Sequence, residues 1–194
     1  WFGCASAEIA IPNDEPRAVP DFTKGGTIPA EAKHDWNLGP TGLRGWMFCD
    51  KLVTTDARQI AITSVDKGSP ADGLLSAGDV ILGVGGKPFS FDPRTEFGKA
   101  ISSAESESGA GKLVLTRWRS GSVDEVELLL PVLESFSKTA PYNCSKSNRI
   151  LARGLKSLVV RMSRPDYPTT EDPIPRSLNA LALLAGGDAE HLPL

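Results

Sequence analysis

The side chains that most often carry out chemistry in proteins are few in this sequence and widely spaced. The three cysteines, Cys4, Cys49 and Cys144, match no metal-binding spacing, and the two histidines, His34 and His191, lie near opposite ends of the chain. No serine stands in a G-x-S-x-G setting, and no histidine is placed to activate one. The sequence therefore predicts no catalytic residue, no metal site and no cofactor within these residues.

The remaining candidates for chemistry have simpler interpretations. Glu105 and Glu107 follow the end of a predicted helix, where carboxylates are ordinarily solvated. The glycines between 83 and 86 precede a tight turn, whereas a phosphate loop precedes a helix. Cys49 and Cys144 would form a disulfide only in an oxidising compartment, and the sequence leaves that pairing open.

Composition describes a globular chain of 194 residues, long enough for one ordinary domain and a smaller appendage. The net charge of -3 argues against a general nucleic-acid-binding protein, which is usually basic. No apolar run approaches the length that spans a membrane. The sequence leaves the oligomeric state open.

Residues 68–89, GSPADGLLSAGDVILGVGGKPF, combine turn signals with a short apolar run. They predict a short helix over Ala71–Leu75, a core strand over Val80–Val84 that includes Leu82, and a tight turn at Gly85-Gly86. This pattern resembles the centre of a PDZ domain of the type found in bacterial secreted and periplasmic proteins.

The PDZ resemblance implies an α+β fold, a small β-barrel capped by two helices, over residues 34–134. The flanking sequence fits this arrangement. Strands are predicted at residues 36–38, 46–49 and 59–65, a helix follows the Asp92-Pro93 cap, and residues 112–119 and 122–130 form a hairpin. In the helix, Phe97, Ala100, Ile101 and Ala104 form one apolar stripe.

The resemblance also implies a peptide groove, in which a C-terminal or internal protein segment adds as a strand beside the second strand and against the second helix. The loop Gly42-Leu43-Arg44-Gly45-Trp46 corresponds to the family's carboxylate-binding GLGF loop, but has an extra residue and Trp for Phe. Arg44 would add positive charge or simply be solvated. The predicted peptide-binding residues are Gly42, Leu43, Arg44, Gly45, Trp46, Met47 and Phe48, with Phe97 and Ile101 as the facing wall.

Residues 1–33 are predicted to be an export-signal remnant and a proline-rich, mobile linker. Ala5-Ser6-Ala7 suits cleavage of an export signal, which would direct the protein to the periplasm or the extracellular space. Acylation of Cys4, as in a lipoprotein, is one alternative, and a fragment boundary without targeting meaning is another.

Residues 143–194 are predicted to form a helical hairpin. Its helices cover Lys146–Met162, with Leu151, Leu155, Leu158 and Met162 as the buried stripe, and Arg176–Ala185. The last sixteen residues resemble the first repeat of helical-hairpin arrays, and a PDZ domain followed by such helices resembles a group of exported bacterial proteins. No acid occurs from Lys138 to Arg164, which indicates a solvated basic face or a docking surface for an acidic partner.

Three functions fit these patterns. The first is a non-catalytic peptide- or protein-binding PDZ module of an exported bacterial protein. The second is a regulatory or substrate-presenting PDZ domain of a larger enzyme whose active site lies outside these residues. The third is a structural spacer whose groove is occupied by its own chain, for example by residues 8–33.

Overall fold

A computed structural model of the chain describes residues 18–32, 34–51, 53–165, 167 and 173–186. The described strands and helices are β1 (Trp36–Asn37), β2 (Leu43–Trp46), β3 (Ile60–Val65), β4 (Val80–Val84), β5 (Lys87–Pro88), α1 (Pro93–Ala104), β6 (Lys112–Arg119), β7 (Ser122–Leu129), α2 (Ser145–Met162) and α3 (Pro173–Ala185). Short 3-10 helices cover Phe22–Lys24 and Gly39–Thr41. The proposed export signal at residues 1–7 lies outside the described residues.

The seven strands form one antiparallel sheet in the order β1-β2-β3-β4-β6-β7, with β5 paired to β4. The hairpin of β6 and β7 pairs from Lys112↔Leu129 to Arg119↔Ser122, as the sequence predicted around Ser120-Gly121. The mixed α and β composition of the prediction is confirmed. One helix, α1, packs on this sheet where the sequence predicted two, because the other predicted helix does not form.

Ala71–Leu75, predicted to be a short helix, forms a single turn. The Leu75 N–H donates to the Ala71 carbonyl oxygen at 3.0 Å, which is one helical hydrogen bond. Gly73 has a φ of +78°, a left-handed conformation that cannot continue a right-handed helix. The turn nevertheless buries Ala71 and Leu75 in the core.

The core lies between the sheet, α1 and the residues before β1. In β4, Val80 and Ile81 are buried whereas Leu82, predicted to be core, is half-buried. The register of β4 against β6 shifts between Ile81 and Gly83, and this bulge breaks the simple alternation of inward and outward side chains. The buried apolar residues with less than 3% exposure include Leu43, Met47, Ile60, Ile62, Ala71, Val80, Ile81, Phe97, Leu113, Leu115 and Leu128.

Residues 18–32 were predicted to belong to an extended linker, yet they pack onto the sheet. Phe22 is buried, and its ring meets the Trp46 ring edge-on with 5.8 Å between centroids. The Gln59 side chain accepts from the Phe22 N–H at 2.8 Å and donates to Asp21 Oδ1 at 2.8 Å. An apolar anchor and satisfied polar groups therefore hold this segment despite its prolines.

The α2 and α3 helices contact each other, with Leu183 of α3 buried. Their predicted stripe is only partly covered: Leu151 is 56% exposed, and Leu155, Leu158 and Met162 are half-buried. Among the described helices, none has the length and apolar character to cross a membrane. On α3, the exposed apolar side chains are Ile174, Leu178, Leu181 and Leu184.

Three further sequence expectations have structural outcomes. Cys49 and Cys144 are free thiols and not a disulfide. Glu105, predicted to be solvated, is buried, and so is Lys146, which lies in the acid-free stretch predicted to be a solvated basic face or a docking surface. Side-chain and backbone groups of Ser147 and the Ser137 N–H lower the pKa of Cys144 to about 6.

Candidate functional site

A cavity of about 180 Å³ lies between α1 and the start of the sheet. One wall is a single face of α1, since positions 94, 97, 98 and 101 recur at helical spacing. The opposite wall comes from β1, from the loop after it and from Met47. The lining residues are Trp36, Asn37, Leu38, Gly39, Met47, Arg94, Phe97, Gly98 and Ile101.

Local sequence fixes the start of α1. The Asp92 side chain caps the helix by accepting from the Arg94 N–H at 2.9 Å, and Pro93 occupies the first turn, where no N–H is needed. The Thr54 hydroxyl donates to the same carboxylate at 2.7 Å. Burial opposes ionisation of Asp92, but these hydrogen bonds and Arg94 outweigh it and lower the pKa of the carboxyl group.

On the sheet side, β1 covers only part of β2. The two strands pair at Trp36↔Gly45 and Asn37↔Arg44, so Met47 and Phe48 lie beyond the last pair. Met47 is fully buried at the base of the cavity, and Phe48 is 8% exposed. β2 ends at Trp46 and is paired with β1 and with β3, so the position predicted for an added peptide strand beside β2 is occupied by β1.

The loop between β1 and β2 approaches α1 closely. A Cβ added to Gly39, which has a φ of +70°, would lie 3.4 Å from Ile101 Cδ1. Several backbone N–H groups of this loop already donate hydrogen bonds to acceptors within the loop. The Leu38 N–H donates to the Leu43 carbonyl at 2.9 Å, the Gly39 N–H to Asn37 Oδ1 at 2.8 Å, and the Leu43 N–H to Thr41 Oγ1 at 3.2 Å.

These internal bonds bear on the predicted capture of a terminal carboxylate. A carboxylate nest needs several N–H groups that converge on a free position. The Gly42 N–H also turns inward, to the Gly39 carbonyl at 3.4 Å, and Pro40 has no N–H. The loop in this conformation therefore offers a carboxylate few donors.

Arg44 faces an acid of its own chain. Its guanidinium donates to Asp35 Oδ1 through Nε at 2.8 Å and through Nη2 at 2.5 Å. The Thr63 hydroxyl donates to the other oxygen of that carboxylate at 2.5 Å. Arg44 first and Thr63 second hold the pKa of Asp35 below its usual value.

Trp46 lines a different cavity, of about 310 Å³, on the side of the sheet where residues 18–32 pack. Its neighbours there include Asp35 and Thr63, so the charge of the Arg44 pair lies at this second cavity and not in the groove. The structure thus brings together Met47, Phe97 and Ile101 of the predicted binding residues, and it places Arg44 and Trp46 elsewhere.

Gly42 and Gly45 have packing roles in this structure. A Cβ on Gly42 would lie 2.1 Å from Ser69 Cβ, and one on Gly45 would lie 2.6 Å from Ile60 Cγ2. Leu43 is 1% exposed and belongs to the core. These three residues hold the loop against the sheet and do not line the groove cavity.

Arg94 is a cavity residue that the sequence reasoning missed. Its guanidinium carbon lies 5.0 Å from the centroid of the Trp36 ring, and its Nη2 lies 3.6 Å from Asp92 Oδ2. A cation in this position attracts a negative or aromatic group of a ligand. The signal was available, because residues 94, 97 and 101 share one helix face.

Among the described residues, no cluster of His, Cys, Asp or Glu could hold a metal ion. A groove between a helix and a sheet edge is the arrangement of a peptide-recognition module. Residues 39–107 match the PDZ domain family, so the chain contains a PDZ domain at these positions. PDZ domains are generally non-catalytic protein-interaction modules that bind peptide segments. No curated protein matches this chain.

Proposed function

We propose that this chain is a peptide-binding PDZ module that takes an extended segment at the cavity between α1, β1 and Met47. The observation that carries the proposal is the apolar cavity between α1 and the start of the sheet, of whose nine lining residues six lie within the PDZ match. The cavity would select one side chain of that segment.

The size and lining of the cavity define the ligand further. At about 180 Å³ it is smaller than the roughly 300–1,000 Å³ of a small-molecule site, so it suits one side chain. Met47, Phe97 and Ile101 favour an apolar residue there. Arg94 at the same cavity favours an acidic or aromatic neighbour in the peptide.

Recognition of an internal segment fits this site better than capture of a free carboxylate. The loop donors that would hold a terminal carboxylate are bonded within the loop, and Arg44 is paired with Asp35. A free terminus would gain mainly from Arg94, which is partly exposed and so partly screened.

The spacer hypothesis, in which the chain's own residues occupy the groove, is not supported by residues 18–32, but Trp36 and Asn37 of β1 do line the cavity and pair with β2. Residues 18–32 pack near Gln59 and Trp46, and none of them lines the cavity beside α1. Export to the periplasm or the extracellular space stays a proposal that rests on residues 1–7. Mass determination of the amino terminus of the protein after secretion or fractionation tests it.

The experiment that tests peptide binding fills the cavity from α1. Gly98 lines the cavity and is exposed, and a Cβ at this position meets no atom within 4 Å. Gly98→Leu therefore places an apolar side chain in the groove while favouring the helix by up to about 1 kcal/mol. Gly154→Leu is the matched control, since Gly154 is exposed on α2 with the same open surroundings.

The probe is a library of decapeptides with leucine fixed either at the last residue or in the middle, each with free and amidated termini. We expect selected peptides to bind the wild type and Gly154→Leu alike, and to bind Gly98→Leu at least tenfold more weakly. Amidation should change the affinity less than threefold. Equal binding to both variants would overturn the groove assignment, and a tenfold loss on amidation would restore carboxylate capture.

A further inference from the structure

A buried ion pair joins the end of α1 to the beginning of α2. Lys146 Nζ lies 2.5 Å from Glu105 Oε2, and the two side chains are only 4% and 8% exposed. The ammonium group also lies 4.7 Å from the centroid of the Phe136 ring. Both charges are therefore removed from water, and each depends on the other.

Glu105 lies at a position where a negative charge is unfavourable, so its pairing with Lys146 matters for the end of α1. Glu105 is the C-terminal cap of α1, where the helix dipole disfavours a negative charge. A buried carboxylate at this end of a helix needs a cation, and Lys146 is the cation that the fold supplies. Lys146 lies well outside the PDZ match at residues 39–107.

Glu105 is connected directly to the wall of the groove. Its N–H donates to the carbonyl oxygen of Ile101 at 2.9 Å, and Ile101 lines the cavity one helical turn away. Its own carbonyl accepts the N–H groups of Leu133 and Glu134 at 3.0 and 2.9 Å. Arg149, one turn further along α2, forms an ion pair with Glu134.

We infer that Lys146 is a positioning residue for the peptide groove, and that α2 is part of the peptide-binding unit. Lys146 holds Glu105, Glu105 holds the last turn of α1, and that turn sets the position of Ile101 relative to Met47. The inference rests on the proposed function, because it concerns the groove assigned to peptide binding.

Removing Lys146 from the ion pair should affect the fold through the Glu105 carboxylate that it leaves unpaired. Lys146→Met keeps much of the side-chain length but leaves the Glu105 carboxylate buried without a cation, and such an uncompensated charge is strongly unfavourable. The last turn of α1 can relieve this by opening to water, which displaces Ile101. Replacing both residues, Glu105→Gln with Lys146→Met, removes both charges and should restore the turn.

The test compares peptide affinity in Lys146→Met, the double variant and a matched control. Lys156→Met is that control, because Lys156 is an exposed lysine of the same helix that pairs with no acid among the described residues. With peptides selected from the decapeptide library, we expect Lys146→Met to weaken binding at least fivefold. Lys156→Met should stay within twofold of the wild type, and the double variant should recover to within threefold.

Hydrogen exchange provides a readout that does not require a ligand. We expect amides from Ile101 to Ser106 to exchange at least tenfold faster in Lys146→Met than in Lys156→Met. Wild-type affinity together with unchanged exchange in Lys146→Met would overturn the inference. Faster exchange confined to α2 would overturn it as well, because α2 would then be only an appendage.

Failure of the proposed function gives a different pattern. If no peptide binds the wild type, or if Gly98→Leu binds as the wild type does, the groove assignment fails while the exchange comparison still decides whether Lys146 fixes the end of α1. If Lys146→Met alone does not fold, the double variant replaces it. Recovery of folding in the double variant, with residues 101–106 exchanging as they do in Lys156→Met, supports the role of the pair, and faster exchange of these residues in the double variant overturns it.

Discussion

Asp79 is a buried carboxylate whose main cationic partner is Arg119, with a further contribution from Arg117. The guanidinium donates to both carboxylate oxygens at 2.6 Å, and the Ser76 N–H donates to one of them at 2.8 Å. Burial opposes ionisation, but these hydrogen bonds outweigh it, so the pKa of Asp79 is lowered. The folded protein therefore binds a proton at Asp79 less readily than the unfolded chain does.

This difference predicts acid sensitivity. With the folded pKa below the unfolded value of about 3.9, the stabilisation is complete above that pH and is lost as the pH falls through the folded pKa. We expect the free energy of unfolding in urea to decline from pH 5 to pH 2. Asp79→Asn should cost about 1–3 kcal/mol at pH 7 and flatten this decline. An equally steep decline in the variant would assign the acid sensitivity to other groups.

Gly45 gives a second prediction for a single residue. A Cβ at this position would lie 2.6 Å from Ile60 Cγ2 and 3.2 Å from the Ala61 carbonyl oxygen, both in the core strand β3. We expect Gly45→Ala to lower the free energy of unfolding by about 1–3 kcal/mol, as overpacking does. Gly98→Ala, with open space around its Cβ, is the control and should not destabilise. Thermal denaturation of the two variants checks this, and equal melting temperatures would contradict it.

Some of the site was predictable from the sequence because it depends on local periodicity. Phe97 and Ile101 share a helix face whatever the rest of the chain does, and the structure puts both beside Met47. The pairing of Arg44 with Asp35 was not predictable in this way. It depends on the register of β1 against β2 and on Thr63 from a third strand, which spacing along the chain does not encode.

Strand β4 shows how an irregular element changes the effect of a substitution. The continuous apolar run of Val80–Val84 predicted Leu82 to be a core residue, but with the bulge between Ile81 and Gly83, Val80 and Ile81 are buried and Leu82 is half-buried. Gly83 lies at this bulge and approaches the β5 backbone so closely that a Cβ there would clash with the Lys87 carbonyl oxygen.

This arrangement predicts unequal costs for two neighbouring truncations. Ile81→Ala removes a fully buried side chain and should cost about 2–5 kcal/mol, whereas Leu82→Ala should cost less than about 2 kcal/mol. Chemical denaturation of both variants measures the difference. A Leu82→Ala protein at least as unstable as Ile81→Ala would show that Leu82 is a full core residue, as its sequence predicted.

Elements whose ends carry a local helix-cap or turn signal were predicted well. The Asp92-Pro93 cap defined the start of α1, and the Ser120-Gly121 turn defined the β6–β7 hairpin, because each signal acts within a few residues. The failed helix at Ala71–Leu75 had an apolar composition but also a glycine that adopts a positive φ. The sequence alone does not show whether that glycine stops the helix, because its conformation depends on contacts with distant residues. One such contact is the hydrogen bond from the Ala71 N–H to the Thr41 carbonyl oxygen at 3.2 Å.

Stability should be unevenly distributed over the whole molecule. Strands β3 and β4 lie in the middle of the sheet, whereas α3 exposes more than half of Ile174, Leu178, Leu181 and Leu184. We expect amides of α2 and α3 to exchange faster than those of β3 and β4, with slower exchange at the Lys146 end of α2 than in α3. Hydrogen exchange with mass detection resolves these segments, and equal protection throughout would mean that the helices and the sheet open as one cooperative unit.

At this scale the sequence predicted the order of parts better than their boundaries. A proline-rich composition indicated a free segment before residue 34, yet one phenylalanine and the Asp21–Gln59 contacts hold it to the sheet. Likewise, the absence of acids from Lys138 to Arg164 suggested a solvated face, although Lys146 finds its acid in Glu105, 41 residues earlier. Contacts at such separations become visible only in the folded chain.

The burial of Phe22 at one end and of Lys146 at the other has a practical consequence for anyone who divides this chain. A fragment trimmed to the family match at 39–107 would lack both the ring that covers Trp46 and the cation that neutralises Glu105. It would also lack β6 and β7, and with them Leu113, Leu115 and Leu128 of the core. The smallest piece expected to be expressed in folded form therefore runs from before Asp21 to beyond Arg149.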